Sequence, residues 1–416
     1  MTQVRSARDK YLGRRAVTGP WQLEGDTEGP FCGAVVIPAL AESACLFSTL
    51  ESLAANPPEI LGRWQIVVVV NNSVLAFEEQ KADNLLTLER LRRESAQWPL
   101  RLAWIDAATC GREIPARSAG VGSARRIGFD LALASLQTSP CPLLVALDAD
   151  TLVDDSYLPA IEAHFARTAA GGAVLPLWHQ REGSPEARQA IETYELYLRA
   201  YPLGLKLAGS PYAYLTVGSA MACTADAYVR VGGMNRRRAG EDFHFLQHLA
   251  KTSGVEQVRG TVVSPSARIS DRTSFGTGPS MARMLSGDWA VVAFFDPRIF
   301  EILRRWLKVA CSHPELDASV LLEEAEDLHP EMAAFLEGAG FESAWSGMQR
   351  NGRGLVSACG FHGWFDGLKT FRLVRHLSQK VFAPGEPESM IKPLLEAAGM
   401  PPESEIVELN RKLFAL

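Results

Sequence analysis

The first 150 residues contain four short apolar runs, and each gives way at once to polar residues. The runs are Gly33 to Pro38, Gln65 to Val70, Leu100 to Ile105 and Leu143 to Leu147. They are β-rich or flanked by turn residues and too short for helices, so they read as buried strands. Helical patterns lie between them. One carries Leu46, Phe47, Leu50, Leu53 and Ala54 at helical spacing, with Ser43 as its expected cap and Asn56-Pro57-Pro58 as its stop. Another spans Ser123 to Leu136, with Ile127, Leu131 and Ala134 on one face. Such alternation implies parallel strands covered by helices. Open sheets of this kind bind ligands beyond the carboxyl ends of their strands. The residues to inspect are therefore Pro38 to Glu42, Asn71-Asn72-Ser73, Asp106, and Asp148-Ala149-Asp150.

The pattern continues with a strand at Ala173 to Leu177 and a tyrosine-rich helix at Ala187 to Tyr201. Gly218 to Ala222, Val231-Gly232-Gly233 and Gly240-Glu241-Asp242 follow, and the glycine-rich stretch from Ser264 to Ser280 reads as an extended loop. Beyond residue 285 strand signals stop and helical patterns succeed one another. The expected organisation is an N-terminal extension over 1–30, an α/β domain over 31–285, and a helical C-terminal region over 286–416.

Composition narrows the class. The 416 residues carry a net charge of −6, which gives no electrostatic reason to expect a nucleic-acid partner. No apolar run approaches the roughly 20 residues that span a bilayer. The first 30 residues are basic and polar and lack the apolar centre of a secretory signal. The 7 cysteines include no CxxC pair, so a zinc module or disulfide framework is not expected and a cytoplasmic setting fits.

The chemistry rests on carboxylates. Asp148 and Asp150 close a buried strand, where charge is costly unless paired or bound to a cation. Mg²⁺ and Mn²⁺ are commonly held by one or two carboxylates together with substrate phosphates. The competing reading is a solvated turn that starts a helix near Tyr157. Glu241 and Asp242 open an apolar-faced helix. They serve either as acids favoured by the helix dipole or as a general base for a hydroxyl nucleophile.

Taken in order, these motifs resemble the GT-A glycosyltransferases of the family 2 type. Val35-Val36-Ile37-Pro38-Ala39-Leu40-Ala41-Glu42 is similar to the family's opening strand, and Asn71-Asn72-Ser73 to the end of its second. Gly122 to Gly128 carries the A-R-x-x-G pattern as Ala124-Arg125-Arg126-Ile127-Gly128. Asp148-Ala149-Asp150, Gly218 to Ala222, Val231-Gly232-Gly233 and Glu241-Asp242 complete the series. The resemblance implies a Rossmann-like, mostly parallel sheet flanked by helices. It implies a nucleotide pocket lined by Pro38, Ala39 and Glu42, with Asn71 or Asn72 at the base or ribose and Arg125 near the base or diphosphate. Asp148 would contact the sugar, Asp148 and Asp150 would hold Mn²⁺ or Mg²⁺, and Asp242, beside Glu241, would be the general base. The implied reaction moves a sugar from a nucleoside diphosphate sugar to an acceptor hydroxyl, inverting and non-processive.

Departures are visible. Asn72 stands where the family often has Asp, and Ala41 where it usually has Asn. In place of a late metal-binding His the chain has Arg268 to Arg272, so Asp271 could serve as a ligand or Arg272 as a diphosphate clamp. The Q-x-x-R-W signature of processive members is missing. Phe275 to Ser280 could form a lid, Arg236 to Arg238 could attract an anion, and His244 with His248 has the spacing of a weak metal pair. Tyr194, Tyr197 and Tyr201 read as core. The remaining alternatives are a nucleotidyltransferase of related fold and a non-catalytic nucleotide- or glycan-binding protein. A dehydrogenase is disfavoured because Arg125 occupies the third glycine position after Gly120-Val121-Gly122. The sugar, base, acceptor (a sugar, lipid-linked sugar or small molecule), oligomeric state and any peripheral membrane contact stay open.

Overall fold

The computed structural model describes residues 6–137, 141–237, 240–270, 276–401 and 406–415. The chain divides into two units. The first comprises Met1–Gln180 and Thr216–Ala267, the second Arg181–Leu215 and Arg268–Leu416.

The first unit opens with α1 (Ala7–Arg14), β1 (Leu23–Gly25) and β2 (Gly33–Ala39). It continues through α2 (Leu46–Ala54), α3 (Pro58–Leu61), β3 (Trp64–Asn71), α4 (Glu78–Glu94), β4 (Arg101–Ala107), α5 (Val121–Ser135) and β5 (Leu143–Ala146). Next come β6 (Thr151–Val153), α6 (Tyr157–Phe165) and β7 (Gly172–Val174). After α7 (Pro185–Leu207), which belongs to the second unit, it resumes with β8 (Met221–Thr224), α8 (Ala225–Arg230), α9 (Glu241–Ser253), β9 (Val255–Gln257) and β10 (Val263–Pro265). Eight strands form one sheet in the order β1-β4-β3-β2-β5-β8-β7-β9, and β10 pairs with β6. The centre, β4-β3-β2-β5, is parallel. The pairs β1/β4, β5/β8 and β7/β8 are antiparallel. This is the α/β arrangement that the resemblance implied. The chain lays β3 and β4 on one side of β2, then returns to place β5 on the other. The crevice at the ends of β2 and β5 is thus a topological switch point, where open α/β sheets take their ligands.

Local chemistry explains the elements around that crevice. Every residue of β2 and β3 is buried, as expected of parallel strands covered on both faces. Pro38 is tolerated in a central strand because pairing with β5 ends at Val36, so its missing N–H falls where no ladder partner waits. The Val36 carbonyl accepts from the Leu147 amide at 3.1 Å, the last bond on that side. Helix α5 lies close on the sheet because Gly128 carries no Cβ; one would strike the Val36 side chain and come within 2.9 Å of Val69.

Two local expectations are corrected. Ser43 does not cap α2, whose N-cap is Cys45 with no side-chain capping bond; Ser43 instead binds the Asp83 carboxylate through its N–H and hydroxyl. Within the stretch read as an extended loop, Val263–Pro265 is a strand and Thr277 to Ser280 begins a helix. Ala41 has φ +51°, in the left-handed region, and its N–H donates to Asn84 Oδ1 at 2.9 Å. Asn tolerates that region better than Ala, which gives the departure from the family pattern a conformational cost. Ala41→Gly should therefore raise stability by roughly 0.5–1 kcal/mol, read as a higher urea midpoint at unchanged slope.

In the second unit α7 is followed by α10 (Thr277–Leu285), α11 (Pro297–Ser312), α12 (Ala318–Leu328), α13 (Pro330–Gly338) and α14 (Phe341–Asn351). Helices α15 (Ala358–Trp364), α16 (Gly367–Lys380), α17 (Pro387–Ala397) and α18 (Ile406–Ala415) complete it. Tyr194, Tyr197 and Tyr201 pack as core: Tyr197 edges onto Phe294, and Tyr201 packs against Phe295, Phe300 and Phe371. Among the described residues no helix is long and apolar enough to cross a membrane.

Candidate active site

Asp148-Ala149-Asp150 leaves the end of β5 and is pinned by its backbone. Thr49 Oγ1 donates to the Ala149 carbonyl at 2.9 Å. The Asp150 carbonyl accepts from the Ser266 amide at 3.1 Å and Gln180 Nε2 at 3.0 Å, and the Thr151 amide closes a turn onto Asp148 at 3.1 Å. Ala149 is buried, while Asp148 and Asp150 are partly open.

Arg125 joins this segment to the second pair of acids. It lies one helical turn before Gly128 on α5, so the close approach that Gly128 permits also drives the guanidinium inward. Its side chain is 2% exposed. Nη2 donates to Asp148 and Nη1 to Glu241, while Nε has no partner. Gly218 is part of this arrangement, because a Cβ there would collide with the guanidinium. Gly122 serves similarly: its bare Cα admits the Asn235 and Arg237 carbonyls and the Glu241 Cβ. The helix α9 starts at Glu241 with Gly240 at φ +69° as its N-cap. Asp242 Oδ1 accepts from the Phe243 amide at 2.7 Å, and the Glu241 carbonyl accepts from Asn235 Nδ2 at 2.8 Å.

Three carboxylates thus share one buried cation. Burial pushes the Glu241 carboxyl up to about 7; Arg125 opposes that, and Asp242 and Asp148 add to it. Burial also raises Asp242, with Arg125 again opposing and Asp148 adding. Arg125 itself is penalised by burial, but Asp148, Glu241 and Asp242 outweigh that and hold it charged. Buried charges need such compensation, and here the negative side is in excess.

That excess bears on a divalent cation. Among the described residues no three His, Cys, Asp or Glu side chains are grouped to hold a metal unaided. An Asp148 whose Oδ1 is committed to Arg125 leaves Oδ2, and Asp150 adds a second carboxylate. Such a donor set fits a hard cation that draws its other ligands from phosphates.

The remaining expected residues are placed as follows. Pro38 and Ala39 end β2, and Glu42 is buried just beyond, its carbonyl accepting from the Cys45 and Leu46 amides. Asn71 turns inward, its Nδ2 donating to the Ala39 and Val69 carbonyls at 3.2 and 3.0 Å. Asn72 Oδ1 accepts from Asn84 Nδ2 at 2.9 Å. Asn84, fully buried on α4, also reaches the Asn71 carbonyl and Ala41. It holds the loop ends of β2 and β3 together, and the sequence reading passed over it because its helix shows no single apolar face. Asp106 closes a turn at the end of β4, accepting from the Ala108 and Thr109 amides. Arg236 and Arg237 are exposed. Asp271, Arg272, Phe275 and Arg238 lie outside the described residues.

No protein-family model matches the chain, and no curated protein matches its sequence. Among solved structures it is similar to residues 1–349 of Staphylococcus aureus TarS in complex with UDP-GlcNAc, at 10% identity and a TM-score of 0.40, over 84% of this chain and 91% of that one. It is also similar to the mannosyltransferase PcManGT from Pyrobaculum calidifontis in complex with GDP-Man and Mn²⁺, at 14% identity and a TM-score of 0.38, over 98% of this chain and 93% of that one. At such values the functional reading has to come from this chain's own residues.

Proposed function

We propose that the protein is a nucleotide-sugar glycosyltransferase of the GT-A, family 2 type. One observation carries the reading: Asp148 at the switch point and Glu241-Asp242 at a helix start are drawn onto a single buried Arg125. A solvated turn and an ordinary helix cap would not need a buried guanidinium between them. In this reading the donor's nucleoside lies over Pro38, Ala39, Glu42, Asn71 and Asn72. Asp148 holds the sugar, and Arg125 orients Asp148 and Glu241. Asp242 takes the proton of the acceptor hydroxyl as its oxygen attacks the anomeric carbon, and the nucleoside diphosphate departs from the opposite face with inversion. A divalent cation held by Asp148 and Asp150 would supply charge neutralisation at that diphosphate. A cytoplasmic setting is part of the proposal, on the ground that the 7 cysteines include no CxxC pair.

The direct test is a thermal-shift screen with UDP, GDP, their sugars, and Mn²⁺ or Mg²⁺. At 100-fold excess over Kd the correct nucleotide should add about 2.7 kcal/mol, and a cation should enlarge the shift. Asp148→Ala and Asp150→Ala should abolish the cation-dependent part. A chain stabilised by no nucleotide, or a cation effect that survives both substitutions, would remove the reading.

A further inference from the structure

The segment Ser6 to Val17 precedes every motif, yet it is fastened to the turn that leads into Glu241-Asp242. Its anchor is Asp130 on α5, whose side chain is 0% exposed. Tyr11 Oη and Tyr228 Oη both donate to Asp130 Oδ1 at 2.7 Å, and the Val17 amide donates to Oδ2 at 2.8 Å. Arg8 reaches the other end of α5, donating to the Leu136 and Gln137 carbonyls at 2.9 and 2.8 Å. The segment then meets the turn. Tyr11 Oη lies so close to Gly233, at φ +84°, that any Cβ there would overlap it, and Arg15 Nη1 would come within 3.2 Å of a Cβ on Gly232. Arg126, the neighbour of Arg125, spans the same gap: it donates to the Arg15 carbonyl and the Met234 carbonyl, both at 2.7 Å. The last link is Asn235, which bonds the Glu241 carbonyl at 2.8 Å and accepts from the Arg237 amide at 3.2 Å.

We propose that residues 6–17, acting through Arg126 and the 232–235 turn, form a positioning element that holds Glu241 and Asp242 at the site. The proposal rests on the reading of Asp242 as the base. The physical case is that the first residue of α9 is gripped from outside the helix through its backbone carbonyl, which accepts a side-chain bond from the preceding turn. Asn235 provides that grip, and the N-terminal segment immobilises the turn that carries Asn235. Tyr11, Arg126 and Asn235 touch no reacting atom in this scheme. They act through the backbone of Glu241.

The test compares the full chain with Tyr11→Phe and Asn235→Ala. Tyr11→Phe deletes one hydroxyl and keeps the ring packed against Tyr228, so it is the gentler variant. Hydrogen–deuterium exchange in residues 241–253 should accelerate in both, with exchange in 64–71 unchanged and Tm within about 3 °C of the parent. Release of UDP or GDP from UDP-GlcNAc or GDP-mannose should fall about tenfold in kcat with KM preserved. In an Asp242→Asn background neither change should lower the rate further. Unaltered exchange in 241–253 would overturn the clamp. Faster exchange with undiminished kcat would overturn its positioning role. If Asp242→Asn itself keeps the full rate, the base assignment fails, while the exchange data still decide whether the clamp exists.

Discussion

Asp242→Asn is expected to leave nucleotide affinity intact while transfer falls by about 10²- to 10⁴-fold. The substitution is nearly isosteric, and the amide oxygen can still accept from the Phe243 amide as Oδ1 does at 2.7 Å, so the helix start should survive. What it removes is the capacity to take a proton. The surrounding charges make that capacity dependent on pH in a definite sense. Burial raises both Asp242 and Glu241, the latter to about 7, so the site binds protons that an unfolded chain would release. A base must be ionised to act. The rate should therefore begin to drop, as pH falls, at a pH above the usual carboxylate range. The same shift fixes the stability trend: a carboxyl raised on folding favours the folded state at low pH, and that contribution is lost as pH rises from about 4.5 to about 7. Asp242→Asn should flatten part of this dependence. A variant with parental rate and an unmoved acid limb would take Asp242 out of the base role.

How far the sequence alone reached follows from where its signals are local. β2, β3, β4 and β5 were legible because each is a continuous apolar run, and their carboxyl ends led directly to Asp148, Asp150 and the asparagines. Helix α4 was not. Its leucines are split between faces, with Leu85 and Leu86 exposed and Leu88 and Leu91 buried beside Asn84 and Thr87, so no single apolar face marks it. Helix α7 runs six residues beyond Tyr201, to Leu207, because Pro202 is accommodated inside it. The burial of Arg125 was illegible for a different reason. A guanidinium among Gly122, Ala124 and Gly128 looks solvent-facing until the small residues are seen as the means of close approach. Its partners, 23 and 116 residues away in sequence, leave no local trace. The grip of Tyr11 and Val17 on Asp130 is equally non-local.

Arg125→Met should be the most damaging single change in the first unit. It deletes the one cation that, among the described residues, bonds both Asp148 and Glu241, and it leaves their carboxylates against a thioether. Breaking a buried pair by removing one partner typically costs about 3–5 kcal/mol, because the orphaned charge stays desolvated. That loss should itself depend on pH. Without the guanidinium, which opposes their rise, Glu241 and Asp242 climb further above their unfolded values, so the variant binds still more protons on folding than the parent does. Its deficit should be small near pH 5, where Glu241 is protonated, and large near pH 8. Arg125→Lys separates charge from geometry. An ammonium restores the compensation, but it cannot present the two parallel arms that now reach Asp148 and Glu241. The lysine variant should therefore recover stability at pH 8 and leave transfer depressed. Urea unfolding of the three proteins at both pH values reads this directly. A methionine variant as stable as the parent at pH 8 would mean that the acids do not need Arg125, and the convergence on which the proposed function rests would lose its physical basis.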